Sequence, residues 1–311
     1  MTTERISRRR LLGASATLVA VTGARDVAAA KPPSTAPHAA GQMDRGYARG
    51  PFGQIHFQDA GKGKPVVLIH QAPMSSRQFE SVYPHFIARG YRPIGIDCPG
   101  FGMSDPMTTT PSVVDWAKVV PAVLDHLSLR QVDVIGHHTG ALVATEVELQ
   151  FRSRVRKLVL GGALPMPNDD RLKSLAGVEK NEVNFVYQPD GSHLQAAFMT
   201  RHRMYGTTPS PDPKLITRYT VERFMGYGPF WHGHYAAFSY DHAATIPAIR
   251  RPTLILTNTG DQIYEQSKTA KRMRPDFEFV ELPGGGVDIV DQQPVAWVEA
   301  IDRFLSMGSK A

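Results

Sequence analysis

Gly136-His137-His138-Thr139-Gly140 has the spacing Gly-x-Nu-x-Gly of a nucleophile elbow, a sharp turn that holds one side chain above the end of a sheet. His138 stands where Ser, Cys or Asp would supply the nucleophile. The turn demands φ > 0 at that residue, which His tolerates better than most non-glycine residues. A helix begins there, and the positive end of its dipole disfavours an imidazolium. A neutral imidazole so placed can take a proton from water or substrate, or attack a carbonyl itself.

The elements around the turn follow from hydrophobic pattern. Val132 to Ile135 is a buried strand and Ala141 to Phe151 a helix. Pro65 to His70 is a short apolar run of a strand buried on both faces, Val155 to Leu160 another buried strand, and Arg92 to Asp97 and Pro252 to Thr257 read as further strands. Gln54 to Gly61 alternates and reads as an earlier strand, and Phe277 to Leu282 as the last one. Helices are expected over Phe79 to Ala88, capped by Ser75 or Ser76, and over Val113 to Leu127, kinked by Pro121. A last helix is expected over Pro294 to Leu305, with Val295, Val298, Ile301, Phe304 and Leu305 on one face. Strands alternating with helices imply an α/β class, a mostly parallel sheet flanked by helices. From Pro165 to Ile246 this rhythm stops, and the chain becomes rich in Met, Tyr, Phe, His and Arg. That segment reads as a helical insertion above the strand C-termini, where open α/β sheets place ligands.

Composition narrows the class. The chain has 311 residues, is 42% hydrophobic and 21% charged, and is long enough for a large core. Five arginines against Glu4 and Asp26 in residues 1–30 carry half of the net charge of +6. The remainder gives no case for a nucleic-acid partner. Ser7-Arg8-Arg9-Arg10-Leu11-Leu12, a weakly apolar run and Ala28-Ala29-Ala30 form a twin-Arg signal pattern. It implies export of a folded protein to the periplasm or beyond, without a stable membrane span, because the run is too short and meets Arg25 and Asp26. Cys98, the single cysteine, allows no internal disulfide. No Cys/His spacing of a zinc site occurs, and neither metal nor cofactor is expected.

Several motifs together resemble the α/β-hydrolase family over nearly the whole mature length. Val67-Leu68-Ile69-His70-Gln71-Ala72-Pro73 resembles its oxyanion loop, and Asp97-Cys98-Pro99-Gly100-Phe101-Gly102-Met103-Ser104 its Asp-x-Pro-Gly-x-Gly-x-Ser loop. Gly136 to Gly140 stands at the elbow, and Gly260-Asp261 where the family's acid follows the seventh strand. The twin-Arg pattern sets a signal peptide over 1–30 and the composition a flexible leader over 31–43; the resemblance implies a core of 44–164 and 248–311 and a cap of 165–247. It departs at the chemistry. The family's base follows a glycine-rich turn after the last strand, and here Gly285-Gly286 is followed by Val287.

A Ser-His-Asp acyl-enzyme route is therefore not available. The resemblance leaves Asp261 as the acid, able to orient one tautomer of His138 and support the protonated ring, as the acid does in a triad. It gives the backbone N–H groups of Thr139 and Gln71 as oxyanion donors, with the Gln71 amide an alternative substrate contact. His138 is then a general base, a direct nucleophile or a residue without catalytic work. His137 is expected to pack sideways, His70 to hold the oxyanion loop, Asp97 to anchor its own loop, and Asp288 to face a turn, with a role as acid the alternative for it. His232, His234, Tyr227 and Tyr235 are expected as cap packing, one of which could donate to a substrate oxygen. These readings imply a cofactor-independent enzyme that hydrolyses an ester, lactone or activated C–C bond of a small molecule. Two rivals stand beside it: a lyase or isomerase with His138 as base, and a non-catalytic binder. An epoxide hydrolase or dehalogenase is disfavoured, because both need a carboxylate at the elbow.

Overall fold

The structure, a computed structural model, describes residues 43–205 and 212–308. The expected signal segment lies outside the described residues. An eight-stranded sheet forms the centre: β1 (Met43–Gly50), β2 (Gly53–Ala60), β3 (Lys64–Ile69), β4 (Tyr91–Ile96), β5 (Val132–His137), β6 (Val155–Gly161), β7 (Thr253–Asn258) and β8 (Glu278–Leu282). Its order is β1-β2-β4-β3-β5-β6-β7-β8. β1 and β2 are antiparallel to each other, β2 is antiparallel to β4, and all later pairs are parallel.

The continuous apolar runs are strands with both faces covered. Val67, Ile69, Val134, Leu158, Leu160 and Ile255 pack on one side of the sheet, with Trp116 and Leu142. Val66, Leu68, Ile135, Val159, Leu254 and Leu256 pack on the other, with Phe86, Trp297 and Ile301. The period of two thus feeds two cores. Each such fully buried Val, Leu or Ile stabilises the fold by about 1.5–3 kcal/mol.

Two local features differ from expectation, and a third follows it. β1 was not legible: its sequence MDRGYARG buries only Ala48, as befits an edge strand. Met43, expected in the leader, already pairs with Ala60. The helix from Val113 does break, into Val113–Ala117 and Val119–His126. Pro121 lacks the N–H that would bond the Ala117 carbonyl, which places the break there. In helix Pro294–Ser306 the buried face carries Trp297, Val298, Ile301, Phe304 and Leu305, while Val295 is exposed.

Register brings the chemistry to one edge. Ile69 of β3 pairs with Gly136 of β5, His137 pairs with Gly161 of β6, and Gly161 with Leu256 of β7. The C-terminal ends of four parallel strands therefore present residues 70–73, 138–139, 162–164 and 259–263 side by side. Residues of helices Asn168–Val178, Ser192–Arg203, Pro213–Met225 and His232–Ser239 line one cavity with residues of this edge. Among the described residues, no helix is long and apolar enough to cross a membrane.

Candidate active site

His138 has φ 49° and ψ −115°, between β5 and helix Thr139–Phe151. The strain is held by its surroundings. Its N–H donates to the Gly161 carbonyl at 2.6 Å, and its own carbonyl accepts from Ala141 at 2.7 Å. Gly140 is required by close approach: a Cβ there would lie 2.0 Å from the Ile69 carbonyl oxygen. Gly162, at φ +85°, leaves the space the imidazole fills, since a Cβ there would lie 3.0 Å from His138 Cδ2.

His138 Nε2 lies 2.9 Å from Asp261 Oδ2. Burial pushes the Asp261 carboxyl up, but the charge and hydrogen bond of His138 more than offset this and leave it below its ordinary value. An ionised Asp261 accepts only, so Nε2 carries a hydrogen, and in the neutral ring the lone pair is then on Nδ1. Nδ1 has no partner among the described residues, and the residue lines a cavity of about 430 Å³ between core and cap. That volume suits a small organic ligand. Val287 lines the same cavity but does not separate the two side chains. In the familiar triad the acid holds Nδ1; here Asp261 meets Nε2.

The second oxyanion donor needs correction. The Gln71 N–H donates to Gln78 Oε1 at 2.9 Å, so it is already committed. The Gln71 side chain lines the cavity, but its amide nitrogen donates to Asp288 Oδ1 at 3.1 Å. The next residue, Ala72, lines the cavity beside Thr139, and its N–H makes no hydrogen bond among the described residues. No sequence signal linked Gln71 to Gln78.

The other chemistry-bearing residues sort by their hydrogen bonds. His137 Nε2 donates to the Val287 carbonyl at 3.0 Å and meets Trp297 edge-on; burial, with His138 beside it, pushes it down to about 3. His70 donates from Nδ1 to the Gln71 carbonyl and accepts at Nε2 from Cys98 N–H, so it holds the loop as a neutral ring. Asp97 accepts from the N–H groups of Ser76 and Met103 and from His56. Asp288 lies in the turn before helix Ile289–Gln292, with its side chain turned inward. It is fully buried and is held by Arg201, Tyr205 and Gln71, which ties helix Ser192–Arg203 of the cap to the loop beside the elbow. Of the four cap candidates only His234 lines the cavity, and Tyr227 is exposed. Among the described residues no cluster of His, Cys, Asp or Glu is arranged to hold a metal ion.

Comparison with known proteins adds the following. The family described as "alpha/beta hydrolase fold" matches residues 64–291. A 2-hydroxy-6-oxononadienedioate/2-hydroxy-6-oxononatrienedioate hydrolase of Paraburkholderia phymatum is 33% identical over 141 residues, 41% of this chain and 49% of that one. The chain thus spans about half the length of that relative. A non-heme haloperoxidase of Rhodococcus erythropolis is 29% identical over 232 residues, 70% of this chain and 82% of the relative. Among solved structures, a bromoperoxidase from Bacillus anthracis superposes with a TM-score of 0.70 at 22% identity, covering 85% of this chain and 100% of that one. A thermophilic esterase from Thermogutta terrifontis gives 0.66 at 22% identity, covering 84% and 98%. These two structures share the fold.

Proposed function

The chain belongs to the α/β-hydrolase fold family, and on that premise we propose that it hydrolyses a small organic ester, lactone or activated C–C bond, with His138 as the proton acceptor. One observation carries this reading: the 2.9 Å contact between His138 Nε2 and Asp261 at the wall of the cavity, which leaves Nδ1 facing the ligand space. Nδ1 takes a proton from water as the oxygen adds to the substrate carbonyl, and Asp261 holds the ring through Nε2. The N–H groups of Thr139 and Ala72 receive the developing oxyanion. With no Ser or Cys at the elbow, water attacks directly and no serine ester forms. The relatives named as 2-hydroxy-6-oxononadienedioate hydrolases support keeping a C–C bond among the candidate targets.

The test is turnover of a panel of esters, lactones and diketones in ¹⁸O-labelled water by the wild type, His138→Ala and Asp261→Asn. Label in the product acid, with both variants slowed, supports the reading. Turnover without label points to a lyase or isomerase, and equal rates in all three proteins would sink the dyad. Absence of turnover with tight ligand binding would make the protein a binder.

We also infer that residues 1–30 direct export through the twin-Arg pattern. Full-length protein should reach the periplasm of a bacterial host, and Arg8→Lys/Arg9→Lys should retain it in the cytoplasm. Equal distribution of both forms would overturn the assignment.

A further inference from the structure

The cap contributes a second imidazole to the cavity. His234 sits in helix His232–Ser239, and its Nδ1 lies 2.9 and 3.0 Å from the two carboxylate oxygens of Glu182. Its Nε2 has no partner among the described residues, and the side chain is one-third exposed, on the cavity wall. Glu182 lies on the π-helical turn Glu179–Val183, which also brings Asn181 to the cavity. Such turns cost helix stability and recur at functional sites. Arg223 stands 3.5 Å from Glu182. Burial pushes the Glu182 carboxyl up, but His234 and Arg223 leave it below its ordinary value, so it remains an acceptor.

Two neighbouring polar side chains are otherwise engaged. Arg201 is bound to Asp288, and the Tyr219 hydroxyl donates to Asp291. His138 Nδ1 and His234 Nε2 are thus two unpartnered ring nitrogens on one cavity, each on a ring whose other nitrogen is fixed by a carboxylate. One comes from the core and one from the cap.

We propose that His234, positioned by Glu182, is a second proton-transfer residue of this site and delivers the proton that the leaving group needs. This rests on the hydrolytic reading above. The step balances for an ester or lactone. His138 Nδ1 takes a proton from water, and the water oxygen bonds to the carbonyl carbon. The bond from that carbon to the leaving oxygen breaks, its electron pair stays on the oxygen, and His234, entering with a proton on each ring nitrogen, supplies the one on Nε2. His138 then releases its proton to solvent and His234 regains one, so the net change is addition of water.

The experiment compares two substrates with one acyl group, one losing nitrophenoxide and the other an alkoxide. Nitrophenoxide departs without a proton, and an alkoxide does not. In the full-length protein, His234→Gln should lower kcat/KM on the alkyl substrate about 100-fold or more, and on the nitrophenyl substrate less than about fivefold. Glu182→Gln should show the same leaving-group dependence with a smaller loss, about tenfold. Equal losses on both substrates, or none, would overturn the proposal and leave His234 a packing residue. If His138→Ala keeps wild-type rates while His234→Gln loses only the alkyl substrate, the role of His138 fails and that of His234 stands. A wild type that hydrolyses neither overturns both.

Discussion

At the scale of the residue, His138 and Val287 form one change. The imidazole that would reach the elbow from the end of the chain instead grows from the elbow, and its longer side chain spans to Asp261 directly. A serine at 138 would find no effective base, because burial pushes the neighbouring imidazole, His137, down to about 3. His138→Ser should therefore be as slow as His138→Ala, both about 10²–10⁴-fold below wild type in kcat on the preferred substrate. A serine variant that formed a stable acyl-enzyme by mass spectrometry would contradict this. The pair was half legible in sequence. Residue types and order gave His138 and Asp261, but which ring nitrogen faces the ligand is fixed by the 2.9 Å contact, and no spacing encodes that. Gln71 misled for a related reason: its N–H depends on Gln78, seven residues away in a different element.

At the scale of the element, the elbow and the cap latch carry different loads. The elbow depends on helix Thr139–Phe151 packing close against the end of β3. Gly140→Ala would drive a methyl into the Ile69 carbonyl and should cost about 3 kcal/mol or more, read as a lowered midpoint in urea unfolding. The latch depends on Asp288. Burial pulls the Arg201 guanidinium down, and Asp288 more than offsets it. Asp288→Asn leaves that cation buried without its counter-charge, which should cost about 3–5 kcal/mol. The loss should appear first as faster proteolysis of Ser192–Arg203 in the cap, with β5 protected in hydrogen exchange. Loss of protection across β5 at the same rate would mean that the latch holds the whole fold. Sequence reasoning gave Asp288 its turn but not its latch, because its partners, Arg201 and Tyr205, lie more than 80 residues away in the cap.

At the scale of the whole molecule, the parallel sheet was legible because doubly buried strands write themselves as unbroken apolar runs. The polar edge strand β1 and the cap's side-chain contacts were not, since solvent-facing strands and irregular helices leave no period to read. One global property also follows from residues that looked merely structural. His137 and His242 are each pushed down to about 3, and His70 is lowered, with burial the leading cause in all three. His242 shows why: Nδ1 accepts from the Leu164 N–H and Nε2 meets Thr145 Oγ1, so a second ring proton would face a donor. These rings stay neutral in the fold but take a proton near pH 6.5 once the chain opens. Between those values the unfolded state binds more protons, so stability falls as pH falls, starting near pH 6.5 and continuing toward 3. Each ring contributes up to about 1.4 kcal/mol per pH unit. Two such slopes over two pH units amount to about 5 kcal/mol, comparable with the net stability of an ordinary domain. Urea unfolding between pH 7.5 and 4.5 should show this decline. His242→Leu should lower stability at pH 7.5, where Leu164 N–H and Thr145 lose a partner, yet flatten the decline by about one ring's share. An unchanged slope in that variant would place the acid sensitivity in the carboxylates rather than in the buried histidines.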